Sequence, residues 1–451
     1  MTEKTTDFTR GPIVAPLLRF SLPILMALLL QALYGAVDLM VVGRYALAED
    51  VSGVAVGSQI MATITNLVSS FAMGTTIYLG QKLGEGDKTS GSRIIGTSIV
   101  IFLTIGLLLS ILLPVLSGAL AKAMNAPEES FEHVRRYIAI CGAGAVMIVS
   151  YNVLGSIMRG LGDSRTPLMT VAIASVCNIA GDLILVAGLH LGAAGAAIAT
   201  VASQTISVMI SLLILRKRTL PFTLTRNDVG IDRPVLNRIV RFGAPIALQD
   251  FLVGLSFLII QAIANSLGLA ASAGVGVAEK VCAFIMLIPS AFMQAMSAYV
   301  AQNHGAGKDD RALTGLKLAI GFSTAFGVVM FYVAFFHGNL LCTLFANDPG
   351  VVADGAEYLK AYGIDCLLTC FLFCFIGYYN GLGRTGFVMI QGVTAAFLIR
   401  IPVAYLMRRY VGSLFSIGLG IPCSTVYQII ICFIYYFVKI KKRGSCLAVR
   451  G

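Results

Sequence analysis

Apolar runs long enough to cross a lipid bilayer follow one another along almost the whole of this 451-residue chain. A spanning helix needs about 20 predominantly apolar residues, because it must cross about 30 Å of hydrocarbon. Charged residues are 12% of the chain, against about 25% in soluble domains. We predict an all-α polytopic membrane protein with no separate soluble catalytic domain and twelve transmembrane helices, near residues 16–43, 51–81, 92–124, 134–158, 165–189, 191–215, 238–267, 270–303, 312–345, 355–380, 386–407 and 412–438.

The two halves of the chain repeat each other. Gly53-Val54 recurs 221 residues later as Gly274-Val275, and the Arg19-Phe20 pair recurs 222 residues later as Arg241-Phe242. Membrane lobes that arise by duplication usually enclose a transport pathway. We therefore expect two pseudo-symmetric lobes of six helices each. Their expected bounds are 1–217 for the N-terminal lobe, 218–233 for a cytoplasmic linker, and 234–451 for the C-terminal lobe with its basic tail.

The net charge of +11 comes from 33 Lys and Arg against 22 Asp and Glu, and the basic residues concentrate in the linker and the tail. Basic residues accumulate on the cytoplasmic side of membrane proteins. We therefore expect a multi-pass protein of the inner (plasma) membrane with both termini cytoplasmic, and no nucleic-acid partner. The ten cysteines and four histidines form no pattern typical of a metal site. We expect membrane lipid as a partner and a monomer as the functional form.

Carboxylates inside the predicted spans are the strongest functional signal. Each carries a penalty of a few kcal/mol at the bilayer centre, so it is paired, protonated or in contact with water. Asp38 shares a helical stripe with Gln31 and Tyr34 on the first span. The second span has a similar polar stripe that includes Asn66. Asn178 and Asp182 are four residues apart on the fifth span, so they share a face.

Tyr137, Asn152 and Thr200 are polar residues on the neighbouring fourth and sixth spans. Two carboxylates among amides and hydroxyls can load and release a proton, or hold Na⁺ through their oxygens. The alternative interpretation is an interhelical hydrogen-bond network that only stabilises the lobe.

In the C-terminal lobe, positions that correspond to Asp38, Asn178 and Asp182 are apolar, although Asp250 and Glu279 fall within its spans. Carboxylates among soft apolar side chains such as Met286 suit lipophilic cations of varied shape. We therefore predict a substrate cavity that includes Gln31, Tyr34, Asn66, Asp250, Glu279 and Met286. Packing in the core or against lipid is the alternative for the methionines.

These residues resemble the MATE (multidrug and toxic compound extrusion) family over nearly the whole chain. Pro23 with Asp38 looks like the proline and aspartate of that family's first helix, and Asn178-x-x-x-Asp182 looks like its fifth-helix pair. Tyr137, Asn152 and Thr200 fall where the family places further members of its N-lobe network. Val253 stands where the NorM-type branch has a glutamate, so the chain looks nearer the DinF-type branch.

The resemblance implies a secondary active efflux antiporter that exports lipophilic organic cations in exchange for H⁺ or Na⁺ as its two lobes rock. Asp38 and Asp182 would carry the coupling ion, supported by Tyr137, Asn152, Asn178 and Thr200. Na⁺ would bind at Asp38, Asn178, Asp182 and Thr200, and no other cofactor is implied. The alternative is a flippase for lipid-linked saccharides of a related fold. An enzyme is not expected, because no nucleophile–base pair or Glu-x-x-His motif lies within the spans.

Overall fold

The structure is a computed structural model that describes residues 7–217 and 228–441. That part of the chain is almost entirely helical and contains no strand. It contains three π-helical segments, at Leu183–Gly188, Ala395–Arg400 and Tyr436–Lys441. The helices are α1 (Val14–Tyr45), α2 (Ala48–Glu85), α3 (Lys88–Ala123), α4 (Phe131–Ala143), α5 (Ala145–Gly160), α6 (Arg165–Asp182), α7 (Gly192–Lys217), α8 (Arg233–Asn265), α9 (Leu269–Ile285), α10 (Leu287–Gly305), α11 (Asp309–Phe336), α12 (Gly338–Cys342), α13 (Pro349–Gly381), α14 (Thr385–Thr394), α15 (Ile401–Tyr410), α16 (Leu414–Gly418) and α17 (Gly420–Tyr435).

Within the described residues, eleven helices or continuous helical runs are long and apolar enough to cross a membrane. A twelfth span is obtained when Glu128–Ala143 and Ala145–Gly160, which meet at an angle of 57°, are counted together. The bend falls at Gly144, where an added Cβ would collide with the Val201 side chain of α7. A glycine is needed there because α7 packs against the bend. The prediction of an all-α protein with about twelve spans is confirmed.

The chain divides into two compact units. The N-terminal unit contains Met1–Ala247 together with Ala301–Asp309, and the C-terminal unit contains Leu248–Val300 and Asp310–Gly451. The lobe and linker bounds expected from the sequence stay a prediction. Linker residues 218–227 and tail residues 442–451 lie outside the described residues.

Each unit has its own apolar core. In the N-terminal unit, α2, α4, α5 and α7 supply buried aliphatic and small residues, among them Val54, Ile148 and Ala197. In the C-terminal unit, α9 packs along α13, with Val275 and Leu359 in the shared core. Both α9 and α13 also carry polar residues, so the packing of these two helices fixes where those residues lie.

Gly74 on α2 and Gly243 on α8 allow two helices of the N-terminal unit to approach closely. A Cβ added to Gly74 would lie 2.6 Å from the Gly243 nitrogen, and one added to Gly243 would collide with the Phe71 carbonyl oxygen. Pro245 is two residues further along α8 and lies inside that helix, as Pro23 lies inside α1. The proline therefore sits where the backbone of α8 is already held against its neighbour.

Asp87 fixes the start of α3. Its carboxylate accepts hydrogen bonds from the Ser90 backbone nitrogen at 3.1 Å, the Ser90 hydroxyl at 2.6 Å and the Thr89 hydroxyl at 2.9 Å. These bonds, led by that from the Ser90 side chain, hold the pKa of Asp87 well below its ordinary value. The carboxylate thus satisfies donors at a helix N-terminus, where a negative charge is also favoured.

Candidate functional site

The structure brings Asp38 and Asp182 together inside the N-terminal unit. Asp38 lies on α1 and is 5% exposed, while Asp182 ends α6 and is fully buried. The two carboxyl groups are close enough to interact directly. Asp182 is followed at once by the π-helical segment Leu183–Gly188, and π turns often occur at functional sites. We call these two residues the acidic pair.

Several oxygens at the acidic pair are buried and lack a donor. No N–H or hydroxyl group of the described residues donates to Asp38 Oδ1, Asn178 Oδ1 or either carboxylate oxygen of Asp182, and the carboxyl group of Asp182 faces that of Asp38. Buried acceptors without donors are unfavourable, and two neighbouring carboxylates cannot both stay charged without compensation. A proton on one carboxyl group, or a cation held between the oxygens, would satisfy both requirements. The residues therefore fit either coupling ion.

Asn178 and Thr200 connect α6 to α7 beside the acidic pair. The Asn178 amide Nδ2 lies 3.5 Å from Thr200 Oγ1 and donates to it. Tyr137 on α4 is buried and lies next to Thr200. The predicted Na⁺ site at Asp38, Asn178, Asp182 and Thr200 therefore has its residues on three adjoining helices, and it stays a prediction. Within residues 7–217 and 228–441, no group of three or more His, Cys, Asp or Glu could hold a metal ion.

Asn152 makes its contacts elsewhere in the same unit. Its carbonyl oxygen accepts from the Ser69 hydroxyl at 2.9 Å, and its amide donates to the Ile148 carbonyl oxygen at 2.8 Å. It also borders a small, mainly apolar pocket with Met61 and Val149. The structure thus ties Asn152 to α2 and to its own helix, and its predicted part in ion coupling stays a prediction.

The residues predicted to line a substrate cavity are distributed over both units. In the N-terminal unit, Gln31 and Tyr34 are half-buried and Asn66 is exposed. In the C-terminal unit, Asp250 is exposed, and Glu279 and Met286 are half-buried. This accessibility is compatible with a role in binding, which stays a prediction.

Gln204 is a polar residue at this site that the sequence interpretation missed. It is buried on α7 and lies close to Tyr34, which in turn lies close to Asp38. Gln204 follows Thr200 by one helical turn, so the two share a face. That spacing was a signal in the sequence that could have identified it.

A second polar cluster that the sequence interpretation missed involves Asp50, at the start of α2. Its carboxylate Oδ1 lies 2.7 Å from His133 Nδ1 on α4 and accepts from the Ala193 backbone nitrogen on α7 at 2.8 Å. Gly192 adopts a φ of +52°, and a Cβ there would collide with the Asp50 carboxylate. One buried carboxylate thus joins three helices. Its position in the first turn of a helix gave no indication of these distant partners.

A family profile and related proteins both match most of this chain. The MatE family profile matches residues 23–184 and again residues 245–406. The chain is 27% identical to the probable multidrug resistance protein YpnP of Bacillus subtilis, over 96% of this chain and 97% of that protein. It is 22% identical to the multidrug export protein MepA of Staphylococcus haemolyticus, over 97% and 96% of the two chains.

Solved structures share the fold. An outward-facing multidrug resistance MATE transporter superposes with a TM-score of 0.91 at 21% identity, over 98% of this chain and 99% of that one. The two family matches start 222 residues apart, which is the offset of the Arg19 and Arg241 repeat. The internal duplication seen in the sequence is therefore the duplication of this family. Assignment to the DinF-type or the NorM-type branch stays a prediction.

Proposed function

Because this chain belongs to the MATE family of multi-pass membrane transporters, we propose that it exports lipophilic organic cations in exchange for H⁺ or Na⁺. The family consists of transporters rather than enzymes. Two relatives, YpnP and MepA, bear the names of multidrug resistance and multidrug export proteins. The coupling ion and the class of substrate are the parts that we add.

The acidic pair is the observation that carries this proposal. Two carboxyl groups that interact in a buried environment bind a proton or a cation far more readily than either would alone in water. Asp182 offers two buried oxygens without a donor, and Asn178 offers a third. In an antiporter, such a group takes up its ion when open to one side of the membrane and releases it to the other. Export of a cationic drug then follows as the two lobes rock.

A buried hydrogen-bond network that only stabilises the packing of α1 against α6 would be expected to have a donor for each acceptor. Structural polar groups inside proteins have their hydrogen bonds satisfied, as those of Asp50 are. The acidic pair instead leaves acceptors unpaired among the described residues. The flippase alternative is not favoured by the family, and a pyrophosphate headgroup would also call for several cationic side chains.

The proposal includes the topology expected from charge. The protein would lie in the inner membrane, with both termini and the linker on the cytoplasmic side, and would work as a monomer surrounded by lipid.

Uptake of ethidium into proteoliposomes, driven separately by a proton gradient and by a sodium gradient, tests the proposal. We expect one gradient to accelerate transport, and Asp38→Asn to abolish that acceleration while the protein still folds. Glu49→Gln is the matched control, because Glu49 is an exposed acid close in sequence. Transport by Asp38→Asn at the wild-type rate, still accelerated by the same gradient, would refute the coupling role. Wild-type protein that moves no organic cation but flips a lipid-linked saccharide would refute the function.

A further inference from the structure

The C-terminal unit ends in a basic segment that has no acidic residue near it in the sequence. Asp365 is the last acidic residue of the chain. The basic residues that follow it at the start of α14 and around the end of α17 are Arg384, Lys439, Lys441, Lys442 and Arg443. The anion that balances these charges therefore has to come from elsewhere in the fold or from outside the protein.

Three aromatic rings join the end of α13, the start of α14 and the end of α17. The rings of Phe387 on α14 and Tyr435 on α17 stack, with their centres 3.8 Å apart and their planes at 17°. The ring of Tyr379 on α13 meets both of them edge to face, with centre distances of 5.1 Å and 5.5 Å. Its hydroxyl also donates to the Cys432 carbonyl oxygen on α17 at 2.6 Å. These contacts fix the three helix ends relative to one another.

The ring stack positions two exposed cations. Arg384 precedes Phe387 by three residues at the start of α14, and Lys439 follows Tyr435 by four residues in the π-helical segment Tyr436–Lys441. Residues three or four apart lie on one face of a helix, so each cation lies about one turn from its ring. Because α14 begins at this end of the unit and α17 ends there, both cations lie on the same side of the stack. Both side chains are exposed.

Neither cation has a carboxylate partner in the part of the chain that the structure describes. There, no carboxylate oxygen lies within 4.0 Å of the Arg384 guanidinium or the Lys439 ammonium nitrogens. An apolar surface adjoins Lys439, because Phe437 and Val438 are 53% and 48% exposed. Exposed cations beside aromatic and aliphatic side chains are typical of the level at which lipid headgroups meet the hydrocarbon of a bilayer.

We propose that Arg384 and Lys439 form a docking site for the headgroup of an anionic glycerophospholipid such as phosphatidylglycerol, whose acyl chains lie against Phe437 and Val438. The lipid phosphate supplies the anion that the residues after Asp365 lack, and arginine and lysine both bind phosphate groups. The basic stretch 441–443 adds attraction to the same anionic surface. The site involves neither the exported compound nor the coupling ion, so it goes beyond the proposed function and is tested separately from it.

Tryptophan fluorescence can report the lipid at this one place, because the chain contains no tryptophan. Phe437→Trp places a reporter two residues from Lys439. Val329→Trp, at an exposed residue in a stretch of α11 without charged residues, samples bulk lipid. Each purified full-length protein would be reconstituted into bilayers that mix phosphatidylcholine with phosphatidylglycerol, with bromine on the acyl chains of one lipid or the other. Quenching by the bromine then gives the binding constant of phosphatidylglycerol relative to phosphatidylcholine beside the reporter.

At low ionic strength we expect the Phe437→Trp protein to prefer phosphatidylglycerol at least about fivefold, because one basic side chain near an anionic surface contributes about that factor. The Val329→Trp protein should show no preference. In the Phe437→Trp background, Arg384→Gln and Lys439→Gln should each reduce the preference severalfold, and the double variant should abolish it. Arg384→Lys keeps the charge and should retain most of it. High salt should weaken the preference, because it screens exposed charges.

Lys317→Gln is the matched control, since Lys317 is an exposed cation in the first third of α11, at the same end of the unit. It should leave the preference beside the Phe437→Trp reporter unchanged. Equal preferences at the two reporter positions, or an equal loss from Lys317→Gln, would overturn the site. Millimolar sn-glycerol 3-phosphate should not alter the quenching. If it displaces the lipid, the cations bind a free anion and the assignment to a lipid is wrong.

Discussion

Replacement of Asp50 by alanine should destabilise the N-terminal unit, and the structure allows the size of the effect to be worked out. The carboxylate joins the start of α2 to His133 on α4 and to the backbone of Ala193 on α7. Ala193 is fully buried, so its N–H would lose its only acceptor without gaining water. The side chain of His133 is 31% exposed, so the imidazole can be hydrated again.

The expected loss of stability follows from the burial of the Ala193 N–H and the partial exposure of the His133 side chain. A hydrogen bond to a charged group contributes about 1.5–3 kcal/mol, and a buried donor left unpaired costs about 1–3 kcal/mol. Because the histidine recovers part of its contribution from water, we expect Asp50→Ala to lower the free energy of unfolding by about 2–4 kcal/mol. Asp50→Asn should lose about half as much, since its amide oxygen can still accept from Ala193.

Gly192 allows the contact of Asp50 with the start of α7 to be tested by a second variant. A Cβ at this residue would collide with the Asp50 carboxylate, and its φ of +52° also disfavours other residues. Gly192→Ala should therefore be destabilising alone but less so once Asp50 is alanine, because the collision is gone while the backbone strain remains.

Unfolding of the purified variants, followed by far-ultraviolet circular dichroism in a denaturant series, measures all four corners of this cycle. Glu49→Ala is the control, since Glu49 is exposed one residue earlier. Additive effects of Asp50→Ala and Gly192→Ala, or equal losses from Asp50→Ala and Glu49→Ala, would refute the reasoning.

Three other predictions concern coupling, topology and capping. Asn178→Ala should weaken ion-driven transport less than Asp38→Asn does, because it removes an oxygen ligand rather than a titratable charge; an equal or larger loss in the liposome assay would contradict this. A cysteine introduced at Thr223 in a background without reactive cysteines should react with impermeant thiol reagents only after the membrane is opened, and labelling in intact cells would reverse the assigned topology. Asp87→Ala should lower the free energy of unfolding by about 1 kcal/mol through loss of the α3 cap. Since folding lowers the pKa of Asp87, this stabilisation is complete above about pH 4 and falls as the pH drops further, so a pH-independent difference between the two proteins would be inconsistent with it.

Much of the membrane architecture could be predicted because hydrophobic burial and helix length leave few options in a bilayer. The proximity of Asp38 to Asp182 also has a signal in the sequence, since a carboxylate in an apolar span is conspicuous and the i, i+4 spacing places Asn178 on the same face as Asp182. Their role in ion coupling stays a prediction. What the sequence did not reveal were contacts across long separations. Asp50 meets residues 83 and 143 positions away, and neither pairing has a periodic signature.

Asn152 shows the converse limit. The family resemblance implies that it belongs to the network of the acidic pair, and its role there stays a prediction, but the choice between partners depends on helix rotation. In the structure its side chain is turned toward Ser69 and Ile148. Asp365 shows the same limit, because only the structure reveals that its carboxylate accepts hydrogen bonds from the Thr369 and Thr425 hydroxyls.

The π-helical segments next to Asp182 and at Arg400 also bear on how these helices can change. A π turn contains about one residue more than the α-helical turn it replaces, and one residue corresponds to about 100° around the axis. Each segment therefore rotates the part of the helix beyond it by about 100° about the helix axis. This rotation decides which of the following side chains face inward, whatever the length of the helix. Insertions or deletions of a single residue are unusually consequential here, because they would turn an entire helix end and so exchange its lipid-facing residues for its inward-facing ones.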